Sequence, residues 1–217
     1  TFSPVVRSAT IRTLLSVAAS EKMSLMQFDV STAFLYSKLD EEIYMEQPEG
    51  FKDDSGRVCK LKRGLYGLKQ APRCWNKRFA EFLIHRGFKQ SDADPCLFIR
   101  KQGARKLMLA LYVDDGLVAG TDGRELQEFE EELKSEFKIT AKPALYFLGL
   151  EINKDKEGNV KVSQSSYTRK ILEKFGMSRC RPCSTHITKS EKDLSGNEAE
   201  TEDVKFPYRS AVGALMY

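Results

Sequence analysis

The stretch Leu109 to Gly120, LALYVDDGLVAG, limits the fold of this chain more than any other. Two almost wholly apolar runs flank Asp114 and Asp115. Short apolar runs of this kind are buried strands, and an Asp-Gly pair between such runs signals a hairpin. The chain therefore needs a sheet whose interior strands meet at a tight turn, which the sequence places at Asp114-Asp115-Gly116. Carboxylates taken out of water are costly unless a positive partner compensates. Either the pair sits in an ordinary turn, where Asp and Gly are common, or it belongs to a site that takes up a cation.

The remaining pattern supplies the rest of the sheet and its cover. Ser3 to Met23 reads as a helix, capped by Ser3 with Pro4 at the first helical position. Leu25 to Val30 is strand-like, with Asp29 near its end. A strand from Ile43 is stopped by Pro48 and Gly50, and VCKL is a further short strand. Pro72 opens a helix with Trp75, Phe79, Phe82 and Leu83 on one face, and Gly87 ends it. CLFIRK and KLMLALYV are strands about a glycine turn. Asp122 caps a third helix that turns Leu126, Phe129 and Leu133 inward. Its outer face is acidic: Asp122, Glu125, Glu128, Glu130, Glu131, Glu132 and Glu136.

LYFLGLEI and NVKVSQ are strands joined by KDKEGN, and Ser165 to Phe175 is helical. Residues 187–206 are polar and aperiodic, a loop or linker, and Pro207 starts a final helix that is still apolar at Tyr217. This order predicts an α+β fold, an antiparallel sheet backed by helices. TFSPVV carries no initiator Met and leads into a helix almost at once, so the stretch reads as part of a longer chain.

Composition narrows the class. With 217 residues, 41% hydrophobic and 30% charged, the chain can build a core and is not of disordered type. No apolar run reaches the roughly 18 residues a membrane helix needs, and nothing resembles a signal peptide. Cys59, Cys74 and Cys96 are scattered, as in a reduced protein. Cys180 and Cys183 form C-x-x-C with His186 close by, short of the usual structural zinc set, so surface thiols are the simpler reading. Between Lys52 and Lys89 eleven Lys or Arg face three acids, which a polyanion footprint and a solvated face explain equally well.

If the strand of Asp29 neighbours the Asp114 hairpin, three carboxylates converge at one sheet edge. Like charges raise each other's pKa, and divalent cations resolve that conflict. Magnesium takes oxygen ligands and shares carboxylates with substrate phosphates, the arrangement used in two-ion phosphoryl transfer.

Several blocks together carry a family resemblance. QFDVSTAFLYSKLDEEIYMEQPEGF, LKRGLYGLKQAPRCWNKRF, LYVDDGLVAG, YFLGLEI, VSQSSYTRKILEKFGM and YRSAVGALMY occur in the order found in the reverse transcriptase domain of copia-type LTR retrotransposons. The chain resembles that family over essentially its whole length. The resemblance implies a polymerase palm with partial fingers and primer grip and the start of a thumb over residues 1–186, then the linker at 187–206 and the truncated helix at 207–217. It implies RNA-directed DNA synthesis from dNTPs on a DNA primer and RNA template, with Mg2+ as a pair of ions and Mn2+ as a substitute.

Carried over, Asp29, Asp114 and Asp115 would hold the ions, with the Val30 backbone beside the triphosphate. Phe34 would exclude a ribose 2′-hydroxyl; its plain alternative is a core aromatic. Tyr112 would lie under the primer terminus, or simply pack in its strand. Lys69 and Gln70 would face nucleotide or template, or form an exposed turn. Leu148 and Gly149 would grip the primer, or mark a bulged strand. Basic residues from Arg57 to Arg78, Arg63 and Arg73 among them, would follow phosphates.

AKPAL departs from the family turn before the primer grip, and Ser31 stands where the family often has Lys. The family's upstream fingers strands, the integrase before them and the RNase H after them are missing from this stretch, so it is expected to extend primers poorly by itself. The resemblance also implies copying in cytoplasmic virus-like particles and no membrane partner. Two other classes remain: a non-catalytic remnant that only binds nucleic acid, and a metal-dependent nuclease, which explains the acids but not the ordered blocks.

Overall fold

The computed structural model describes residues 2–53, 55–184 and 206–217. His186 and nearly all of the polar stretch 187–206 lie outside the described residues. The chain divides into two compact units, Thr1–Val162 and Ser163–Tyr217.

The larger unit begins with helix α1 (Ser8–Ser20), strand β1 (Ser24–Val30) and a short 3-10 helix (Ala33–Tyr36). Strands β2 (Tyr44–Met45) and β3 (Cys59–Lys60) precede helix α2 (Ala71–His85). Strands β4 (Lys89–Gln90), β5 (Leu97–Gln102), β6 (Arg105–Tyr112) and β7 (Asp115–Gly120) follow, then helix α3 (Gly123–Glu136). The last strands are β8 (Ile139–Pro143), β9 (Tyr146–Phe147), β10 (Leu150–Lys154) and β11 (Val160–Ser163), where the unit boundary falls. The main sheet has the order β4-β5-β6-β7-β1-β8, and its pairings are antiparallel. The fold is α+β, as the sequence predicts.

The apolar runs do not alternate because both faces of the sheet are covered. Leu107, Leu109, Leu111, Val118 and Phe28 pack in one core with Trp75, Phe79 and Phe82 of α2 and Phe129 and Leu133 of α3. Met108, Ala110, Leu117 and Ala119 pack in the other with Leu14, Leu15 and Ala18 of α1 and with Phe147 and Ile152 of β9 and β10.

In the smaller unit, α4 (Ser165–Lys174) and α5 (Tyr208–Met216) lie together. The Tyr167 hydroxyl donates to the Ala214 carbonyl at 2.9 Å, and Lys174 Nζ donates to Ser210 Oγ at 2.9 Å.

Three local expectations are corrected. Helix α1 starts at Ser8, not at Ser3, whose hydroxyl donates instead to the Pro4 carbonyl at 3.1 Å. The cap comes from a distant residue: Asp94 Oδ2 accepts the Arg7 N–H at 3.0 Å and the Thr10 hydroxyl at 2.6 Å. LYFLGLEI is not one strand but the β9–β10 hairpin, turned at Leu148 (φ 47) and Gly149 (φ 79). Both central residues have positive φ, the signature of a type I′ turn.

Glu125 does not belong to an outer acidic face. It is buried at 2% exposure, with Arg100 Nε 3.7 Å from its Oε1. Arg100 also pairs with Glu132 at 3.1 Å, and its guanidinium lies over the rings of Phe88 and Phe129. Burial pushes the Glu125 carboxyl above its ordinary pKa, and Arg100 offsets part of that rise.

This cluster yields a stability test. Arg100→Met leaves Glu125 buried without its cation and should cost about 3–5 kcal/mol. Adding Glu125→Gln should recover most of the loss. Denaturant midpoints measure both, and a loss below about 1 kcal/mol for the single variant would show that the pair is not holding α3 on the sheet.

Candidate active site

The antiparallel register of β1 on β7 places Phe28 opposite Gly116 and Asp29 opposite Asp115. That of β6 on β7 places Tyr112 opposite the same Asp115. Directly opposed residues share a face, so Tyr112, Asp115 and Asp29 form one row across the ends of three neighbouring strands. Thr140 of β8 continues the row beyond Asp29.

Asp114 stands beside the row, in the turn. That turn is Val113-Asp114, because Tyr112 already pairs with Asp115. The sequence expectation of Asp114-Asp115-Gly116 is corrected by one step. Gly116 lies within β7, and its lack of a side chain serves packing: a Cβ there would come within 2.2 Å of the Phe28 ring. Val113 has φ 56, an outlier for a β-branched residue. Such conformations cost on the order of 1–3 kcal/mol and persist only where neighbours hold them. Here the Trp75 indole N–H donates to the Val113 carbonyl at 2.7 Å, and the Val30 N–H donates to the Asp114 carbonyl at 3.0 Å.

The charges compete. Burial raises the Asp29 carboxyl pKa first, Asp114 raises it further, and Lys142 of β8 offsets part. Asp29 is exposed as a residue, yet protein atoms near its carboxylate still displace some water. Asp115 is raised by its burial, then by Asp114 and Asp29, again with Lys142 opposing. The Tyr66 hydroxyl donates to Asp114 Oδ2 at 3.4 Å, and the Tyr66 ring packs tilted against Phe34, with centroids 4.4 Å apart and planes at 44°.

Among the described residues no group of three or more His, Cys, Asp or Glu side chains is arranged so as to hold a metal ion. The donor set nonetheless suits a hard divalent cation. It offers carboxylates that repel one another at a strand end open to substrate oxygens, and such ions accept part of their shell from substrate.

The chain matches over residues 1–189 the family described as Reverse transcriptase (RNA-dependent DNA polymerase). It belongs to the reverse transcriptase family. It is 40% identical over its whole length to a retrovirus-related Pol polyprotein from transposon TNT 1-94 of Nicotiana tabacum, and spans 17% of that polyprotein. It is 37% identical, again over its whole length, to the Pol polyprotein from transposon RE2 of Arabidopsis thaliana, spanning 15% of it. A putative Ty5-1 transposon protein of Saccharomyces cerevisiae is 31% identical over 87% of the chain, which spans 62% of it. The copia-type resemblance seen in the sequence is borne out by these relatives.

Other residues singled out as reverse transcriptase positions fall in four places. Phe34, 7% exposed, packs against Tyr66, whose hydroxyl reaches the aspartate turn. Leu148 and Gly149 form the tip of β9–β10, which is tied to β1 where Gln27 Oε1 accepts the Tyr146 N–H at 3.2 Å. Lys69, Gln70 and Arg73 line a groove of about 460 Å³ with Asp40, Glu41 and Cys74, a lining that does not include Asp29, Asp114 or Asp115. Arg63 donates to the Leu35 carbonyl at 3.1 Å.

Pro143, in the unusual AKPAL, ends β8 at the sheet edge, where a missing N–H is tolerated. Sequence reasoning missed Tyr66, Lys142 and the polar role of Trp75. Trp75 was legible only as an apolar helix position, and no local pattern marks the other two.

The raised carboxyls give a pH test. A carboxylate whose folded pKa exceeds the ordinary 3.8 penalises folding when ionised, so stability is lost as pH rises through the folded value. Asp115→Asn removes that penalty. It should raise the melting temperature at pH 7, with the gain fading as pH falls toward 3.8. Melting curves of both proteins from pH 7 to pH 4 measure this, and a gain that persists undiminished at the acid end would contradict it.

Proposed function

We propose that this chain is the polymerising segment of a retrotransposon Pol polyprotein, an RNA-directed DNA polymerase that adds dNTPs to a primer 3′-hydroxyl. The observation that carries the reading is the register of Asp29 opposite Asp115, with Asp114 beside them, in a chain of the reverse transcriptase family. The primer 3′-hydroxyl gives up its proton to solvent as its oxygen bonds to the α-phosphorus, the bond from the α-phosphorus to the oxygen of the β-phosphate breaks, and pyrophosphate leaves. Two magnesium ions, or manganese in their place, would supply Lewis acidity at the attacking and leaving oxygens. Asp29, Asp114 and Asp115 would hold them, next to the Val30 backbone.

The chain's own groups do the positioning. Phe34, almost fully covered, offers a rigid ring against the sugar, where a 2′-hydroxyl would collide. Tyr112 is 37% exposed beside Asp115 and can support the primer end. The β9–β10 tip with Leu148 and Gly149 belongs to the core on the aspartates' side of the sheet and can brace the primer strand. Lys69, Gln70 and Arg73 in their groove, with Arg63, suit template and triphosphate phosphates. The wider polyprotein partners, integrase and RNase H, and copying in cytoplasmic particles belong to the same proposal. Among the described residues no helix is long and apolar enough to cross a membrane.

Primer extension on an RNA template tests the proposal, using this chain and one lengthened upstream with the element's own preceding residues. The lengthened chain should synthesise DNA with magnesium. Asp114→Asn should lower its rate on the order of 10²-fold or more, as expected when a positioned electrostatic group is lost. No synthesis by the lengthened chain, or an unchanged rate in Asp114→Asn, would leave nucleic-acid binding as the better reading. In the same assay Phe34→Val should admit ribonucleotides that the parent excludes.

A further inference from the structure

Tyr66 was given no role by the sequence, yet it touches both halves of the candidate site. Its ring packs tilted against Phe34, and its hydroxyl donates to Asp114 Oδ2. The ring is not a core residue, because Tyr66 is 54% exposed. Its position is built all the same. The Gly64 N–H donates to the Ser37 carbonyl at 3.0 Å, and the buried Ser37 hydroxyl donates to the Phe34 carbonyl at 2.8 Å. A Cβ on Gly64 would stand 2.6 Å from Ser37 Oγ and 2.7 Å from the Phe34 carbonyl, so the loop can approach the 3-10 helix only with glycine there. Arg63 adds its bond to the Leu35 carbonyl. The loop is thus stapled to the segment that carries Phe34, which sets the Tyr66 ring on Phe34 and its hydroxyl against the turn.

We propose that Tyr66 is a positioning residue that couples the sugar pocket to the metal-holding carboxylate. This rests on the polymerase reading above. The phenol engages Asp114 Oδ2, so a divalent cation must compete with it for that carboxylate. The ring backs Phe34, so that the wall facing the sugar cannot tilt away. One side chain therefore sets the affinity for the ion through its hydroxyl and the choice of sugar through its ring, and the two effects separate by substitution.

Tyr66→Phe keeps the ring and deletes the hydroxyl. It should tighten Mn2+ binding, measured by calorimetry without nucleotide, by about 2- to 5-fold, the worth of a long and exposed hydrogen bond to a charged group. It should leave the ratio of dATP to ATP affinity within about 2-fold, well under the tenfold that 1.4 kcal/mol represents. Tyr66→Leu loses both functions: it should tighten Mn2+ similarly and reduce the dATP preference by at least about 10-fold. Circular dichroism and melting curves show that each variant is folded. Unchanged Mn2+ affinity in Tyr66→Phe overturns the competition, and an unchanged sugar preference in Tyr66→Leu overturns the backing of Phe34. Asp114→Asn is the control: if it binds Mn2+ as the parent does, the assignment of the metal site fails rather than the role of Tyr66.

Discussion

The pairing register of β1 on β7 is the constraint on which the rest depends. One residue of slip would turn every side chain of β1 to the opposite face. Phe28 would leave its place over Gly116, and Asp29 would no longer stand across from Asp115. Core and site are therefore specified by the same contact. The Phe28 ring occupies the space that any side chain at position 116 would need, which makes the register a matter of shape as well as hydrogen bonding. Apolar packing decides where the carboxylates go, although none of the packing residues is chemically reactive.

A second tie fixes the turn. A β-branched residue at positive φ would relax if it were free, and the Trp75 indole prevents that from the helix side. Trp75 in turn packs against Phe79 and Phe137, with ring centroids 5.2 and 5.3 Å away. The strain at Val113 is thus borne by an aromatic cluster beneath the turn. Repulsion among Asp29, Asp114 and Asp115 adds to the load that this cluster must hold. Functional sites commonly keep such unfavourable features because the surrounding fold over-determines them.

Most strands and the three helices of the larger unit were legible because apolar spacing records burial directly, whereas β4 and β8, largely exposed, carry no such pattern. Leu126, Phe129 and Leu133 lie inward as their spacing says, and Asp122 caps α3 through the Arg124 N–H. Asp29 and Asp114 were legible as acids in apolar surroundings. The turn was misplaced by one step because Asp-Gly is a turn signal wherever it occurs, whereas here Gly116 answers to Phe28 across the sheet. Glu125 was misread because helical spacing cannot show that Arg100, from strand β5, covers it. Tyr66 and Lys142 stayed hidden for the same reason: their meaning lies in partners far away in sequence. The order of the family blocks, rather than any single residue, identified the family.

Covering the sheet on both faces has a consequence for how damage to this protein would show itself. Amides of β6 and β7 lie between two cores, so solvent reaches them only when the unit opens as a whole, while edge strands such as β8 can fray separately. Two of the three aspartates sit on or beside that inner pair, and Asp29 is on the strand next to it. A destabilising change elsewhere in the unit would then lower the number of intact molecules without blurring the site in those that remain. The loss would show as lower abundance, and the arrangement of the site in each folded copy would stay constant.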